Sequence, residues 1–170
     1  GGTVAGAGDV DGDSVPDLLI SGVGFETIDH IPLNEGRVYL VHGPVTGEHS
    51  LADADAIFQG AQPGDSIGAH IDGLGDLNAD GFADFGIGAS TGGIQSDGYI
   101  YYGPVSGFHL ISDADAVIVP QENDGWACVI TPAGDLNGDG FDDVFVPEDS
   151  QHGFEVDCGV LSLFHGPLLG

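Results

Sequence analysis

Residues 75–89 read GDLNADGFADFGIGA, and this pattern returns as GDVDGDSVPDLLISG at residues 8–22 and as GDLNGDGFDDVFVPE at residues 134–148. The leading aspartates, Asp9, Asp76 and Asp135, stand 67 and 59 residues apart. Each copy is followed by a second apolar run that ends in Gly-Pro: RVYLVHGP from Arg37, YIYYGP from Tyr99 and VLSLFHGP from Val160. A unit that recurs at a nearly constant spacing indicates a repeat architecture, in which each unit buries its apolar faces against the next.

Each unit contains four short segments with the composition of β-strands. One precedes the aspartate-rich stretch, one follows it, one ends at Gly-Pro, and an acidic one contains Asp53-Ala54-Asp55 or Asp113-Ala114-Asp115. The chain has 31 Gly and 9 Pro and lacks long helix-period stretches, as expected for short strands joined by tight turns. Since four antiparallel strands form one blade of a β-propeller, we predict an all-β fold of three such blades. They span residues 1–60, 61–119 and 120–170, where the first starts inside a repeat and the third lacks its last strand.

Oxygen-bearing side chains occupy positions one, three, five and nine of each aspartate-rich loop. They are Asp9, Asp11, Asp13 and Asp17 in the first loop, Asp76, Asn78, Asp80 and Asp84 in the second, and Asp135, Asn137, Asp139 and Asp143 in the third. A tightly curled loop points alternate side chains at one centre, and a backbone carbonyl near position seven can complete the shell: Val15, Phe82 or Phe141. Calcium takes about six to eight hard oxygen ligands. The pattern therefore predicts three Ca²⁺ sites, one in each repeat.

Other readings of this loop are weaker. An EF-hand shares the first five positions, but it needs a bidentate Glu at position twelve and a helix on both sides. Position twelve is Ile20, Ile87 or Val146, inside short apolar runs rich in strand-forming residues. The pattern contains no imidazole or thiolate, which argues against zinc and copper. For any single loop, a solvated Asp-Gly turn without a metal is the remaining alternative.

The charge of the chain excludes several classes of partner. It carries 28 acidic residues against one basic residue, Arg37, and its formal net charge is −27. Nucleic acids are bound by releasing counterions to Lys and Arg, so a nucleic-acid partner is excluded, and an anionic membrane surface is disfavoured for the same reason. No apolar run approaches the roughly 20 residues that span a bilayer, so no membrane insertion is expected. Bound cations would relieve part of the repulsion, and the remaining charge suits saline surroundings.

The other reactive residue types give weaker signals. Cys128 and Cys158 are the two cysteines and have no His and Cys cluster around them, so we expect a disulfide, with two buried free thiols as the alternative. His42 and His165 fall at matching positions before Gly-Pro, which favours a strand-end role over catalysis. Trp126 is expected to pack between blades, with carbohydrate stacking as the alternative. No nucleophile elbow, P-loop or His-Glu-x-x-His motif occurs, so we do not expect an enzyme.

The repeats resemble FG-GAP repeats, the units of the integrin α-subunit propeller and of many secreted bacterial proteins. The metal loop carries the resemblance, together with Gly88-Ala89-Ser90 in place of Gly-Ala-Pro and Ile67-Gly68 in place of Phe-Gly. The resemblance implies calcium on one face of a propeller, an extracellular or cell-surface location, and loops on the other face that contact a ligand. It does not identify that ligand. Family members usually close larger rings, which implies further blades or self-association.

We therefore expect a secreted or cell-surface module that binds calcium and serves adhesion or assembly, with a protein or carbohydrate ligand of unknown identity. One alternative is a structural subunit of an extracellular fibre or surface layer, built from incomplete propellers stacked through their open edges. Another alternative is a non-catalytic appendage of a secreted hydrolase.

Overall fold

The computed structural model describes residues 2–22, 27–28, 31–32, 35–90, 97–119, 129–148 and 160–168. Within these residues the chain is all-β, as predicted, apart from two single-turn 3-10 helices, Leu51–Asp53 and Ile111–Asp113. The strands are β1 (Val4–Gly8), β2 (Asp17–Gly22), β3 (Thr27–Ile28), β4 (Ile31–Pro32), β5 (Arg37–Val41), β6 (Ala56–Gln59), β7 (Ile67–Gly75), β8 (Asp84–Ala89), β9 (Gly98–Tyr101), β10 (Gly107–Leu110), β11 (Ala116–Ile118), β12 (Thr131–Gly134), β13 (Asp143–Glu148) and β14 (Val160–Phe164).

Apart from β10, the strands of the three larger sheets follow one another along the described part of the chain. The first has the order β1-β2-β5-β6-β10, and its first four strands are antiparallel. The second has the order β11-β9-β8-β7 and the third the order β12-β13-β14. A short ladder joins β3 to β4. Successive sheets of this kind are consistent with β-propeller blades, whereas the blade boundaries after residues 60 and 119 stay a prediction.

A glycine in the left-handed backbone region precedes each aspartate-rich loop. Gly8, Gly75 and Gly134 have φ of 83°, 84° and 68° and stand directly before the leading aspartates. The strand register shifts at these glycines, which marks a β-bulge. A side chain is disfavoured there by the positive φ, and a Cβ on Gly75 would overlap the carboxylate of Asp142. The glycine before each leading aspartate is therefore explained by the left-handed backbone conformation that this position adopts.

β10 departs from the predicted pattern of four antiparallel strands. It follows Gly103-Pro104 in the second repeat, yet it pairs in parallel with β6 at the outer edge of the first sheet. A parallel pair joins segments that are distant in sequence, so a repeat-by-repeat reading of local patterns does not reveal it. β10 ties the second repeat to the first sheet.

The acidic runs, predicted as part of a fourth strand in each repeat, begin as 3-10 turns instead. The Leu51–Asp53 turn starts at Ser50, whose hydroxyl accepts a hydrogen bond from the N–H of Ala52 at 3.2 Å. Asp55 and Asp115 accept hydrogen bonds from the N–H groups of His42 and Tyr102 at 2.8 and 2.9 Å. The prediction was wrong because short polar side chains compete for backbone groups and favour turns. Strands β6 and β11 begin after these runs.

Two apolar clusters contain residues of successive sheets. The first cluster joins the first and second sheets around Phe58, whose ring centroid lies 5.4 Å from that of Phe85 and 4.6 Å from that of Tyr101. The second cluster joins the second and third sheets and includes Leu74 and Val144, both fully buried. The sheets therefore pack face to face, with the aspartate-rich loops at their strand ends.

Candidate metal centre

Each aspartate-rich loop is curled by hydrogen bonds from its own backbone to its aspartates. In the second loop, Asp76 accepts from the N–H groups of Asp80 and Gly81 at 3.1 and 2.9 Å, and Asp80 accepts from Phe82 N–H at 2.9 Å. The third loop repeats these contacts at Asp135 and Asp139. The first loop has matching contacts from Ser14 to Asp9 and from Val15 to Asp13. One loop conformation, built from side-chain-to-backbone turns, therefore recurs in every repeat.

The first loop also brings carboxylate oxygens together. One oxygen each of Asp9, Asp11 and Asp17 lies within 4.8 Å of the other two, and Asp13 is not part of this group. Oxygens that share one Ca²⁺ ion stand at about this separation or closer, because Ca–O distances are about 2.3 to 2.6 Å. Nowhere else in the described part of the chain do three His, Cys, Asp or Glu side chains approach so closely. The other two loops have an asparagine at position three.

Position nine is buried in every loop and has a structural role that the sequence did not suggest. Asp17, Asp84 and Asp143 are all 0% exposed. Asp84 Oδ2 accepts from Leu77 N–H at 2.7 Å, and Asp84 Oδ1 accepts from Gly103 N–H at 3.0 Å. Asp17 and Asp143 make the equivalent contacts in their own repeats. The sequence signal for this role was the Gly-Pro that follows each third strand, because the N–H of its glycine is one of the two hydrogen-bond donors to the position-nine aspartate.

The pKa values of these buried carboxyls depend on their partners. Burial raises the pKa of Asp84 to about 7; hydrogen bonds from Leu77 and Gly103 oppose the rise, and the charges of Asp80 and Asp76 add to it. Burial also acts to raise the pKa of Asp143, but hydrogen bonds from Leu136 and from His165, at 3.1 Å, outweigh it and lower the pKa. A bound cation favours the ionised form of such a group.

Two histidines contact the loops. His42 Nδ1 lies 3.3 Å from Asp11 Oδ2, and His165 Nδ1 lies 3.1 Å from Asp143 Oδ1. The middle repeat has Tyr102 at this position, and its hydroxyl donates to the carbonyl of Leu168. These residues stand just after the end of the third strand of each repeat, where the sequence placed them. Their contacts with the acidic loops were not predicted.

Successive loops are hydrogen-bonded to each other. Ala83 N–H donates to the carbonyl of Asp9 at 2.8 Å, and Asp142 N–H donates to the carbonyl of Asp76 at 3.0 Å. Asp142 Oδ2 accepts in return from Asp76 N–H at 2.9 Å. Position eight of one loop thus meets position one of the loop before it. The first loop has Pro16 at position eight, which offers no N–H.

Some predicted residues are not tested by this geometry. Cys128, Cys158 and Trp126 lie outside the described residues, so the disulfide and the inter-blade tryptophan stay predictions. The carbonyl ligands assigned to Val15, Phe82 and Phe141 also stay predictions. As for a membrane anchor, the residues with described structure include no helix of the length and apolarity that a bilayer requires.

Comparisons with known proteins agree with the repeat pattern. No family model matches the chain. Over 95% of its length it is 29% identical to phosphatidylinositol-glycan-specific phospholipase D of Homo sapiens, of which the match covers 20%. It is 32% identical to integrin alpha-5 of Xenopus laevis over 82% of the chain and 14% of that protein, and 33% identical to integrin alpha-PS2 of Drosophila melanogaster over 55% of the chain and 7% of that protein. The chain spans at most about a fifth of these relatives, and its likeness to integrin alpha chains supports the resemblance seen in the repeats.

Proposed function

We propose that this chain is a non-catalytic, calcium-binding part of an extracellular β-propeller that serves adhesion or assembly. One observation carries the proposal: the three aspartate-rich loops share their backbone hydrogen bonds, and each buries an aspartate at position nine. The same loop in successive repeats favours shared architecture over a single reaction centre.

The donor set fits a hard cation. The ligands would be the side chains at positions one, three, five and nine and the carbonyl at position seven, all of them oxygen donors. Asp9, Asp11 and Asp17 are already close enough to share an ion. Positive charge at this place offsets the repulsion that accompanies a net charge of −27. The ion would thereby stabilise the folded strand ends.

The expected contribution of calcium to stability is large for a domain of this size. A ligand that binds the folded state alone stabilises it by about 0.4 kcal/mol for each site at a concentration equal to its Kd, and by about 1.4 kcal/mol at ten times its Kd. Extracellular calcium modules have Kd values of about 10⁻⁴ to 10⁻³ M, so millimolar calcium occupies them substantially. A change of about 1 kcal/mol shifts the Tm of a 150- to 250-residue domain by roughly 2–4 °C.

Thermal unfolding in EDTA, Ca²⁺ and Mg²⁺ tests the proposal. We expect EDTA to lower the Tm by many degrees and Ca²⁺ to restore it more effectively than Mg²⁺, which demands octahedral geometry and releases water reluctantly. Sodium chloride at matched ionic strength is the control for screening of the negative charge. An equal Tm in EDTA and in Ca²⁺ would falsify the structural role of the metal.

The extracellular location and the adhesive role are inferred from the similarity to integrin alpha chains. The ligand would be a protein or a carbohydrate, because a chain with one basic residue has little to offer a polyanion. Binding of the calcium-loaded chain to arrays of extracellular-matrix proteins and glycans is the direct test. Capture that is lost in EDTA supports adhesion through the calcium-stabilised fold, and no capture on either array argues against it.

A specific observation favours a second candidate, a non-catalytic appendage of a secreted hydrolase. The match to the phospholipase covers 95% of the chain, more than either integrin match. The full-length coding sequence separates the two candidates. An adjoining hydrolase domain would support the appendage, and additional repeats without one would support the adhesion module.

A further inference from the structure

The second and third aspartate-rich loops differ at one residue. Residues 75–82 read GDLNADGF, and residues 134–141 read GDLNGDGF. The asparagine at position three is therefore followed by Ala79 in one loop and by Gly138 in the other. Both of these residues have a positive φ, 58° for Ala79 and 77° for Gly138, so the backbone turns in the same sense. The chain thus contains two matched asparagine sites, of which one is followed by a Cβ and the other is not.

The asparagine side chain of each loop is folded back over its own backbone. Asn137 Oδ1 accepts a hydrogen bond from Asp139 N–H at 2.9 Å, and Asn137 Nδ2 donates to Asp139 Oδ2 at 2.8 Å. The ring that the first bond closes contains both Asn137 Cγ and the Gly138 nitrogen, the two atoms that join when an asparagine cyclises to an imide. Asn78 makes the same two contacts with Asp80, at 3.0 and 2.9 Å.

The peptide nitrogen that follows Asn137 is hydrogen-bonded to a carboxylate. Gly138 N–H donates to Asp135 Oδ1 at 2.6 Å. In the second loop, whose residues are all described, Ala79 N–H makes no such bond to Asp76, which accepts at Oδ1 from the next N–H instead. A carboxylate that already accepts this N–H is placed to take up its proton. The N–H bonded to Asn137 Oδ1 is likewise placed to stabilise negative charge that develops on that oxygen.

The third loop is also more open to solvent than the other two. At position two, Leu136 is 54% exposed, whereas Val10 and Leu77 are 0% exposed. Asn137 is exposed, and Asn78 is partly buried. Opening of an imide consumes water, so access of solvent to this position favours the complete reaction.

We propose that Asn137 is a site of spontaneous deamidation, and that a cation in the loop restrains the reaction. The Gly138 nitrogen forms a bond to Asn137 Cγ while its proton passes to Asp135; the Cγ–Nδ2 bond then breaks, and the amide nitrogen leaves with that proton as ammonia. Water then adds to one carbonyl of the cyclic imide and breaks its bond to nitrogen. One proton of the water returns to the nitrogen, and the new carboxyl releases the other. Opening at Cγ gives aspartate, and opening at the backbone carbonyl gives isoaspartate.

The two products change the third loop in different ways. The aspartate product has a carboxylate at position three, as the first loop has in Asp11. There Gly12 N–H donates to Asp9 Oδ1 at 2.8 Å and Asp11 Oδ1 accepts from Asp13 N–H at 3.0 Å, so an aspartate fits this backbone. Isoaspartate adds a methylene group to the backbone and so displaces the later ligands. Because the charge and rigidity of the ligands set calcium affinity, deamidation divides the chains into forms with different third loops.

The restraint follows from the groups that the reaction uses. Asn137 Oδ1 and the Asp135 carboxylate are both predicted ligands, so neither is free to assist cyclisation when the loop is occupied. The rate should therefore fall in proportion to the unoccupied fraction of the loops, to about a tenth at about ten times the Kd. This restraint rests on the proposed function, whereas the deamidation itself does not.

Incubation of the full chain in water enriched in heavy oxygen tests the site. The samples contain EDTA, Ca²⁺, or urea sufficient to unfold the chain, with sodium chloride at matched ionic strength, and peptide mass spectrometry measures heavy oxygen at positions 137 and 78. In EDTA we expect Asn137 to react at least about tenfold faster than Asn78, because a positioned base typically contributes about 10²–10⁴-fold, and at least as fast as in urea. Where EDTA unfolds the chain, calcium at its Kd, which leaves about half of the loops empty, takes its place.

Two reciprocal variants provide matched controls. Gly138→Ala gives the third loop the sequence of the second, which carries an alanine at this turn, and should slow the reaction of Asn137 by at least about tenfold. Ala79→Gly makes the reverse exchange and should accelerate the reaction of Asn78. Neither variant alters a predicted ligand, so the shift of the Tm by calcium checks that the loops still fold.

The outcomes separate this inference from the calcium proposal. A reaction at Asn137 that is no faster than at Asn78, slower in the folded chain than in urea, or unchanged in Gly138→Ala would overturn the deamidation site. Fast reaction of Asn137 in both EDTA and Ca²⁺, with the same Tm in both, would refute the metal proposal and leave the deamidation site standing. A Tm raised by calcium with an undiminished rate at Asn137 would overturn the restraint and leave the metal proposal standing.

Discussion

Replacing Asp84 by alanine separates the structural role of position nine from metal binding. The Asp84 carboxylate is 0% exposed and accepts hydrogen bonds from the N–H groups of Leu77 and Gly103. Without it, two buried donors lose their acceptor, and each such group costs about 1–3 kcal/mol. We therefore expect Asp84→Ala to lower the free energy of unfolding by about 2–6 kcal/mol in EDTA, towards the lower end because the buried charge and its repulsion also disappear.

Asp80→Ala is the matched comparison in the same loop. Asp80 is exposed, and its oxygens accept from Phe82 N–H and the Asn78 amide, both within the loop. Loss of these contacts costs about 0.5–1.5 kcal/mol in EDTA. In calcium the same variant also weakens an ion site, so its deficit grows by up to about 2.7 kcal/mol for a site held at 100 times its Kd.

Urea denaturation of both variants, in EDTA and in calcium at about ten times the weakest expected Kd, measures these differences. Asp53→Ala removes an exposed negative charge outside the loops and should change stability by less than about 0.5 kcal/mol in either buffer. The reasoning is refuted if, in EDTA, Asp84→Ala is no more destabilising than Asp80→Ala.

Three further predictions follow from the packing and the charges. Gly75→Ala should destabilise the fold by at least about 1 kcal/mol more than Gly64→Ala. Both glycines have positive φ, but only a Cβ on Gly75 would overlap the Asp142 carboxylate. Equal losses in the free energy of unfolding, measured by denaturation, would contradict this. Phe58→Ala should lower the free energy of unfolding by about 3–5 kcal/mol, because Phe58 is buried in the core. Phe108 is 62% exposed, so Phe108→Ala should lower it by less than about 1 kcal/mol, and thermal unfolding compares the two variants. In EDTA, the free energy of unfolding should fall as the pH rises from about 4 to 7. The pKa of Asp84 is raised to about 7 in the folded chain, so the folded chain keeps this proton after the unfolded chain has released it. A free energy of unfolding that rises with pH in this window would count against the effect of burial.

The sequence predicted the parts of the fold that local pattern determines. The strands on either side of each aspartate-rich loop follow from apolar runs bounded by Gly and Asp, and β2, β8 and β13 begin at the predicted ninth positions. The close approach of Asp9, Asp11 and Asp17 also agrees with the loop pattern. These features depend on residues within one loop and its flanking strands, where spacing alone sets the geometry.

The features that escaped prediction all involve a second repeat or a competing local bond. β10 pairs with a strand of the preceding repeat, and Asp142 is joined to Asp76 across two loops. A repeat period shows that neighbours are equivalent, but it does not show which backbone groups meet between them. The 3-10 turn after Ser50 was missed because alternation of Asp and Ala is compatible with both a solvated strand and a capped turn.

The bonds between loops give the proposed metal a role beyond its own repeat. Both backbone groups of Asp76, a predicted ligand, are hydrogen-bonded to Asp142, so ordering of the second loop also orders the start of β13 in the third sheet. Asp9 is joined to the second repeat through one of these bonds, from Ala83 N–H to its carbonyl. Since binding that orders one element lowers the cost of ordering the element bonded to it, calcium at successive loops should bind with positive coupling. The first loop has Pro16 at position eight and so cannot donate the equivalent backbone hydrogen bond, which confines this coupling to the bonds that Ala83 and Asp142 make.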